Sequence, residues 1–389
     1  MSNRSIKYFL LALFLAFLFG CSPTETIKKD EPGDTPTDKT GECKKHYNIG
    51  FEYKKMKMYE DARINFEKAV ECSSKYVDAY LGLAEVYTDM QQYGLSEETY
   101  KTLIENVEGT VKGWTGLGSL YAKLGRYDEA LEAYNKAMAI DSSDATIFHG
   151  KGYVYEKMKD FENAQQLYEK AYNLSPDSRA ITFALGKVYL EREKCDKAVT
   201  LLDKLAVEFP NDIEVRLILG DAHFDCKNYA KALENYLSIE SDLSEFGTIY
   251  LKIALTYEGL REYSNASNYY LTAIEKSDNK RAPYIRLINM YLTKAKNYGK
   301  AQKYITEAFA ISPNDPALNC MNGDVYIGYG DGARSGKKYK TAIAHYQTAK
   351  NWYSKALGDS KWGSYASGGI KRADAKIKNT QNLLWYGDD

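Results

Sequence analysis

The chain has 389 residues, and its 52 Lys and Arg against 53 Asp and Glu leave a formal charge of −1. That balance, with no long run of one sign, gives no basic excess to hold nucleic acid. The only long apolar run lies near the N-terminus, so the rest reads as a helix-dominated body whose mixed charges are solvated faces.

Residues 1–20 stand apart from the fold. Arg4 and Lys7 precede an apolar run from Tyr8 to Phe19. A helix of that length reaches about 18 Å, short of the roughly 30 Å hydrocarbon core, so a secretory signal is favoured over a spanning helix. Its end, Leu18-Phe19-Gly20-Cys21, resembles the lipobox of bacterial lipoproteins, although Phe19 is bulkier than the small residue usual there. That resemblance implies that Cys21 is acylated and becomes the first residue of the mature chain. It further implies that Ser22, in place of aspartate, directs the protein to the outer membrane. Plain secretion with cleavage nearby is the alternative. Loss of Arg4 and Lys7 moves the formal charge from −1 to −3. Residues 21–42 are rich in Pro, Thr, Asp, Lys and Gly, which predicts a disordered tether with a reach of about 25 Å.

From residue 43 a repeat dominates. Tyr53, Tyr87, Tyr121, Tyr155, Tyr189, His223, Tyr257 and Tyr291 stand 34 residues apart, and Tyr326 follows with one residue inserted. A small-residue column runs Gly50, Ala84, Gly118, Gly152, Gly186, Gly220 and Ala254, lapses at Ile288 and returns at Gly323. In 111–144, Trp114, Leu117, Gly118 and Tyr121 share one helical face; Gly125 breaks the pattern; Ala130, Tyr134 and Ala137 line a second helix. The Ala-x-x-x-aromatic-x-x-Ala triplet recurs at Ala62/Phe66/Ala69, Ala164/Tyr168/Ala171 and Ala266/Tyr270/Ala273. Pro176, Pro210 and Pro313 sit where the second helix should stop.

This period and pattern resemble the tetratricopeptide (TPR) repeat over roughly residues 43–349. The resemblance implies an all-α, right-handed superhelical solenoid of about nine helix hairpins. We read eight repeats over 43–315 and a divergent ninth over 316–357 with a Gly-rich insertion. Residues 358–389 read as a loop and a C-terminal capping helix. The insertion between Tyr326 and Ala342 carries Gly328, Gly330, Gly332 and Gly336 but fails the spacing of a phosphate-binding loop, so a flexible surface loop is expected. The triplets Ala342/Tyr346/Ala349 and Ala349/Tyr353/Ala356 predict a long helix after it. A last helix is expected near Ile370, with Ile370, Ala373, Ile377 and Leu384 inward and Lys371, Arg372, Lys376 and Lys378 outward.

Placed on the repeat, Cys43 opens a first helix and Cys72 closes the second, within bridging reach; Cys195 and Cys226 lie near successive interhelical turns and form a second candidate pair. Cys320 is expected to be free. The alternative is that all five are small buried hydrophobes. No C-x-x-C and no Cys/His cluster with ligand spacing occurs, so neither metal nor cofactor is expected.

No catalytic constellation emerges. His46, His149, His223 and His345 are scattered, and His223 sits in the tyrosine column as a packing ring. The expectation is a binding protein without enzymatic activity. In the architecture the resemblance implies, first helices line the concave side. The matching positions are Tyr47/Phe51, Leu81/Glu85, Thr115/Ser119, His149/Tyr153, Phe183/Lys187, Leu217/Asp221, Leu251/Leu255 and Ile285/Asn289. One turn on stand Leu190, Phe224 and Leu292. Between Tyr153 and Leu292 this wall is apolar, which predicts a groove for an apolar peptide or helix of a partner protein. The opposing expectation is that neighbouring repeats bury those residues. Leu81, Thr115, Phe183 and Leu217 stand where chaperone-tail binders of the family carry Lys, Asn or Arg, so carboxylate clamping is not expected. The resemblances together imply a membrane-anchored, periplasm-facing scaffold in an envelope assembly such as pilus, secretion, outer-membrane assembly or export machinery. The alternative is a glycan-binding module in polysaccharide export or cell-wall attachment.

Overall fold

The structure, a computed structural model, describes residues 39–386. Nineteen helices and no strand occur among them, and the chain divides after Gln92 into two compact units. The signal, Cys21 and the tether up to residue 38 lie outside the described residues.

In the first unit α1 (Lys39–Lys55) and α2 (Tyr59–Cys72) form a hairpin, followed by α3 (Val77–Asp89). Residues 39–42, expected to end the tether, are instead the first turn of α1, where Glu42 meets the positive end of the helix dipole. Phe66 of α2 is fully buried among Ala62, Leu83 and Val86.

The second unit opens with α4 (Tyr93–Asn106). Antiparallel pairs then follow: α5 (Val111–Lys123) with α6 (Tyr127–Ile140), α7 (Ala145–Lys157) with α8 (Phe161–Leu174), and α9 (Arg179–Glu191) with α10 (Cys195–Glu208). Next come α11 (Ile213–Asp225) with α12 (Tyr229–Ser238), α13 (Gly247–Gly259) with α14 (Tyr263–Lys276), and α15 (Arg281–Asn289) with α16 (Tyr298–Ile311). A longer pair, α17 (Pro316–Ser335) with α18 (Tyr339–Ser354), precedes the final α19 (Gly363–Tyr386). Pro176, Pro210 and Pro313 each fall two residues beyond the end of a second helix.

The turn inside each hairpin is one device repeated. Lys159, Glu193, Lys227 and Arg261 take left-handed backbone at φ 62, 56, 62 and 63°, as does Gly125 at 75°. The next N–H then reaches back to the tyrosine column: Asp160 N donates to Tyr155 O at 2.9 Å, and Lys194 N to Tyr189 O at 2.8 Å. Only one of these five turns uses glycine, which is why composition marks the break at Gly125 and is silent at its copies. The residue inserted before Tyr326 is absorbed by a π-turn at Met290–Lys294. There Asn297 N closes on Tyr291 O, and the left-handed residue moves to Lys296.

The Gly-rich insertion is not a loop. It is the last two turns of α17, a 20-residue helix where its counterparts have 13. Gly323, Gly328 and Gly330 of this helix are sockets for aromatic rings. A Cβ on Gly330 would lie 2.3 Å from Tyr346, one on Gly323 2.6 Å from Tyr353, and one on Gly328 2.4 Å from Tyr298. The Gly-Asp step occurs twice, at 323–324 and 330–331. Each step receives one tyrosine of α18 seven residues apart, so the hairpin is lengthened by a whole heptad. Burial of those rings outweighs the poor helix propensity of glycine.

The final helix also starts early, at Gly363 instead of near Ile370, because Gly369 and Ala366 are needed against Tyr353 and Ala356. Ala373 is buried as expected, whereas Ile370, Ile377 and Leu384 are half-buried. Lys376 and Arg372, expected outward, turn back to carboxylates of α17: Lys376 meets Asp331 at 2.7 Å and Arg372 meets Asp324 at 3.6 Å. The end of the stack is thus closed by charge pairing as well as by apolar contact.

Two glycines of α17 should respond to alanine in opposite directions. Gly330→Ala crowds Tyr346 and should cost about 1–3 kcal/mol. Gly332→Ala meets nothing within 4 Å and should gain about 0.5–1 kcal/mol from helix propensity. Hydrogen exchange of the α17–α18 amides under urea reads both, and equal protection in the two variants would refute the socket assignment.

Candidate functional site

All twelve positions assigned to the wall, Tyr153, Phe183, Lys187, Leu190, Leu217, Asp221, Phe224, Leu251, Leu255, Ile285, Asn289 and Leu292, are half-buried. Their apolar members are not a free stripe. Phe183 and Leu190 pack on the α8–α11 core, Leu217 and Phe224 on the α11–α14 core, and Ile285 and Leu292 on the α13–α17 core. Leu251 bridges the last two clusters. Much of the apolar area is therefore spent between neighbouring hairpins.

Lys187, Leu190, Asp221, Phe224 and Leu255 nevertheless come together in one cleft of about 510 Å³ on α9, α11 and α13. The cleft is not a greasy slot, because a ladder of ion pairs crosses it. Asp221 accepts the Tyr236 hydroxyl at 2.6 Å and pairs with Lys252. Beside it Lys187 pairs with Glu156 at 3.3 Å, and Glu156 accepts the Tyr168 hydroxyl at 2.8 Å. In the first unit Lys54 pairs with Glu85 in the same manner. Each pair is separated by 31 residues, the offset that sets one hairpin's first helix beside the next. Burial and the Asp221 charge raise the Tyr236 pKa, so this hydroxyl stays a donor. Asp225, also at the cleft, is raised first by burial and then by Asp221.

A second ladder runs from the tyrosine column to the preceding second helix. Tyr121 donates to Glu97 at 2.9 Å and Tyr189 to Glu169 at 2.8 Å. In the first unit Tyr87 donates to Glu67 at 2.8 Å. Lys101, followed by Arg126 and Tyr121, holds Glu97 down at about 2 against the opposing effect of burial. His223 takes the same place, with Nε2 3.7 Å from Asp203. It is a packed ring, buried to 2% exposure. Burial lowers its pKa, opposed by Asp203; Lys231 also lowers it and Glu234 opposes. His149 is lowered by burial and opposed by Glu156.

The cysteines divide three ways. Cys43 and Cys72 form a disulfide between α1 and α2, with Cα atoms 5.4 Å apart. Cys320 is buried, and its thiol is pushed up to about 11 by burial, then by Asp324 and Asp359. Cys195 and Cys226 are free thiols, not the second bridge entertained from the sequence, although the fold does bring them together with Asp196. Linear ligand spacing concealed this grouping. The cleft that holds Trp352, Asn314 and Asn319 has Phe309 stacked on the indole and Lys355 over its ring. No helix among the described residues is long and apolar enough to cross a membrane.

With the geometry established, comparison with known proteins identifies the repeat. Profiles described as TPR or tetratricopeptide repeat match residues 118–159, 155–219, 46–76 and 247–276. No curated protein matches the chain. Among solved structures, it is similar to YrrB, described as a TPR protein with an unusual peptide-binding site, at 22% identity and a TM-score of 0.43. That match covers 47% of this chain and 94% of the other. It is similar to pilF of Pseudomonas aeruginosa at 18% identity and a TM-score of 0.45, covering 52% and 92%. A tetratricopeptide repeat protein of Parabacteroides merdae matches at 14% identity and a TM-score of 0.43, covering 64% and 98%. The chain carries tetratricopeptide repeats over residues 46–76, 118–219 and 247–276.

Because His223 is neutral in the fold with a pKa below its ordinary value near 6.5, its contribution to stability is present above that value and lost as the pH falls through the lowered one. His223→Tyr restores the column residue and its reach to Asp203. The loss of melting temperature between pH 7.5 and pH 5 should shrink, with His149 supplying what remains. An unchanged or larger acid loss in His223→Tyr would refute the assignment.

Proposed function

We propose that this chain is a lipid-anchored scaffold of a bacterial cell envelope that receives a segment of a partner protein along the wall of α9, α11 and α13. The observation that carries this reading is the cleft in which Leu190, Phe224 and Leu255 alternate with the Lys187–Glu156 and Lys252–Asp221 pairs. Apolar patches between fixed charges suit an amphipathic helix or extended segment: the patches supply burial, and the charges set register. The partner need not be purely apolar, as the sequence pattern alone implied. The lipid on Cys21 and the tether behind it hold the repeats at the outer membrane, facing the periplasm. The partner belongs to the assembly machinery there; the membrane itself is contacted through the lipid alone.

A photo-crosslinking residue at Ile218, within the cleft, should capture a defined partner in living cells, and one at the exposed Glu208 should not. Charge reversal by Lys187→Glu with Lys252→Glu, at unchanged helicity, should lower that capture about tenfold. The same products from both positions, or capture indifferent to the reversal, would discard the cleft. Anchoring is tested separately. The chain should incorporate labelled fatty acid and fractionate with the outer membrane, and Cys21→Ser should abolish both; labelling that survives would remove Cys21 as the attachment point.

A further inference from the structure

Cys195 and Cys226 are also 31 residues apart, but they meet differently from the ion pairs: the start of a second helix stands against the end of the next hairpin's first helix. Cys195 opens α10 directly after the left-handed turn at Glu193, and Cys226 caps the C-terminus of α11 directly before the left-handed turn at Lys227. Both turns are pinned by backbone hydrogen bonds, Lys194 N to Tyr189 O and Asn228 N to His223 O, each 2.8 Å. The two thiols are therefore presented by rigid elements of successive hairpins.

Asp196, the second residue of α10, adds a carboxylate. Its oxygen and the two Sγ atoms all lie within 4.8 Å of one another. Thiolates on a zinc-like ion sit about 3.7 Å apart, so modest side-chain rotation closes the set around a cation. Both cysteines are half-buried and Asp196 is exposed, which leaves a fourth position open to solvent. We propose that Cys195, Asp196 and Cys226 form a binding site for a soft divalent cation of the zinc class, joining two consecutive repeats.

Two sulfurs and one oxygen are the donor set for such an ion; magnesium or calcium would require oxygens throughout. Binding converts two thiols to thiolates and releases two protons to solvent, with no change of oxidation state. The site adjoins Glu193 and Asp225 of the cleft, yet the proposal does not rest on what the cleft binds.

The test uses the full chain, purified without air, and cobalt(II) and zinc(II) as probes. Cobalt should bind at about one equivalent per chain, with a sulfur-to-metal charge-transfer band, and zinc should displace it with release of about two protons. Zinc should protect Cys195 and Cys226 from alkylation. Cys226→Ser should weaken affinity at least 100-fold and Asp196→Asn about tenfold, while Cys320→Ser, buried elsewhere, should leave it unchanged. Circular dichroism confirms that each variant remains folded. Affinity indifferent to Asp196→Asn or to Cys226→Ser overturns the three-ligand site. So does recovery of the chain with Cys195 joined to Cys226 by a disulfide and no metal uptake.

Discussion

A tyrosine of the second helix, laid across a small residue of the first and ending on a carboxylate, is the contact that sets four of these hairpins; in α1–α2 and α9–α10 Phe66 and Leu202 fill the same place without a hydroxyl. Tyr168 crosses Gly152 to reach Glu156, and Tyr236 crosses Gly220 to reach Asp221. Tyr270 reaches Glu258, and Tyr346 and Tyr353 cross Gly330 and Gly323 to Asp331 and Asp324. Each ring is fully or almost fully buried, worth roughly 1.5–3 kcal/mol of apolar transfer. The hydroxyl is satisfied by a charged acceptor, a bond of about 1.5–3 kcal/mol that a phenylalanine would leave unmade. The ring sets how closely the helices approach, and the carboxylate sets how far the ring enters.

That contact also furnishes the surface. The carboxylate that ends the tyrosine lines the cleft at Asp221 and stands beside it at Glu156. There it takes a second partner from the next hairpin, Lys187 for Glu156 and Lys252 for Asp221. Core, stacking and cleft wall thus share one set of atoms. A stack in which each hairpin touches chiefly its neighbours can carry local change without reorganising the rest. The π-turn at Met290–Lys294 and the heptad added to α17 are two such changes, each absorbed within its own hairpin.

The terminal pair is where glycine content and structure part company. Four glycines within nine residues would ordinarily mark a loop. Here the Gly-Asp step is duplicated together with the tyrosine that fills it, so Gly328 and Gly330 pack tightly inside a helix while Gly332 stays open. Asp324 then serves Tyr353, Tyr365 and Arg372 at once, and burial raises its pKa against all three. The same carboxylates that order α17 hold the closing helix α19.

The period of 34, the helical hairpin and the positions of the second-helix stops were legible because they depend on spacing along one helix or between a helix and its own turn, which sequence prints directly. The tyrosine column and the small-residue column followed for the same reason. What the wall is made of was legible only in part. Tyr153, Phe183 and Leu217 could be assigned to first-helix faces, but not how much of each the next hairpin covers. The ion pairs, the His223–Asp203 contact and the meeting of Cys195, Asp196 and Cys226 all join residues of different helices. They depend on the offset between stacked hairpins, a quantity set by the depth to which rings enter their sockets. One strand of residues determines the repeat; only the packed stack decides which side chains, 20 or 31 positions apart, are neighbours.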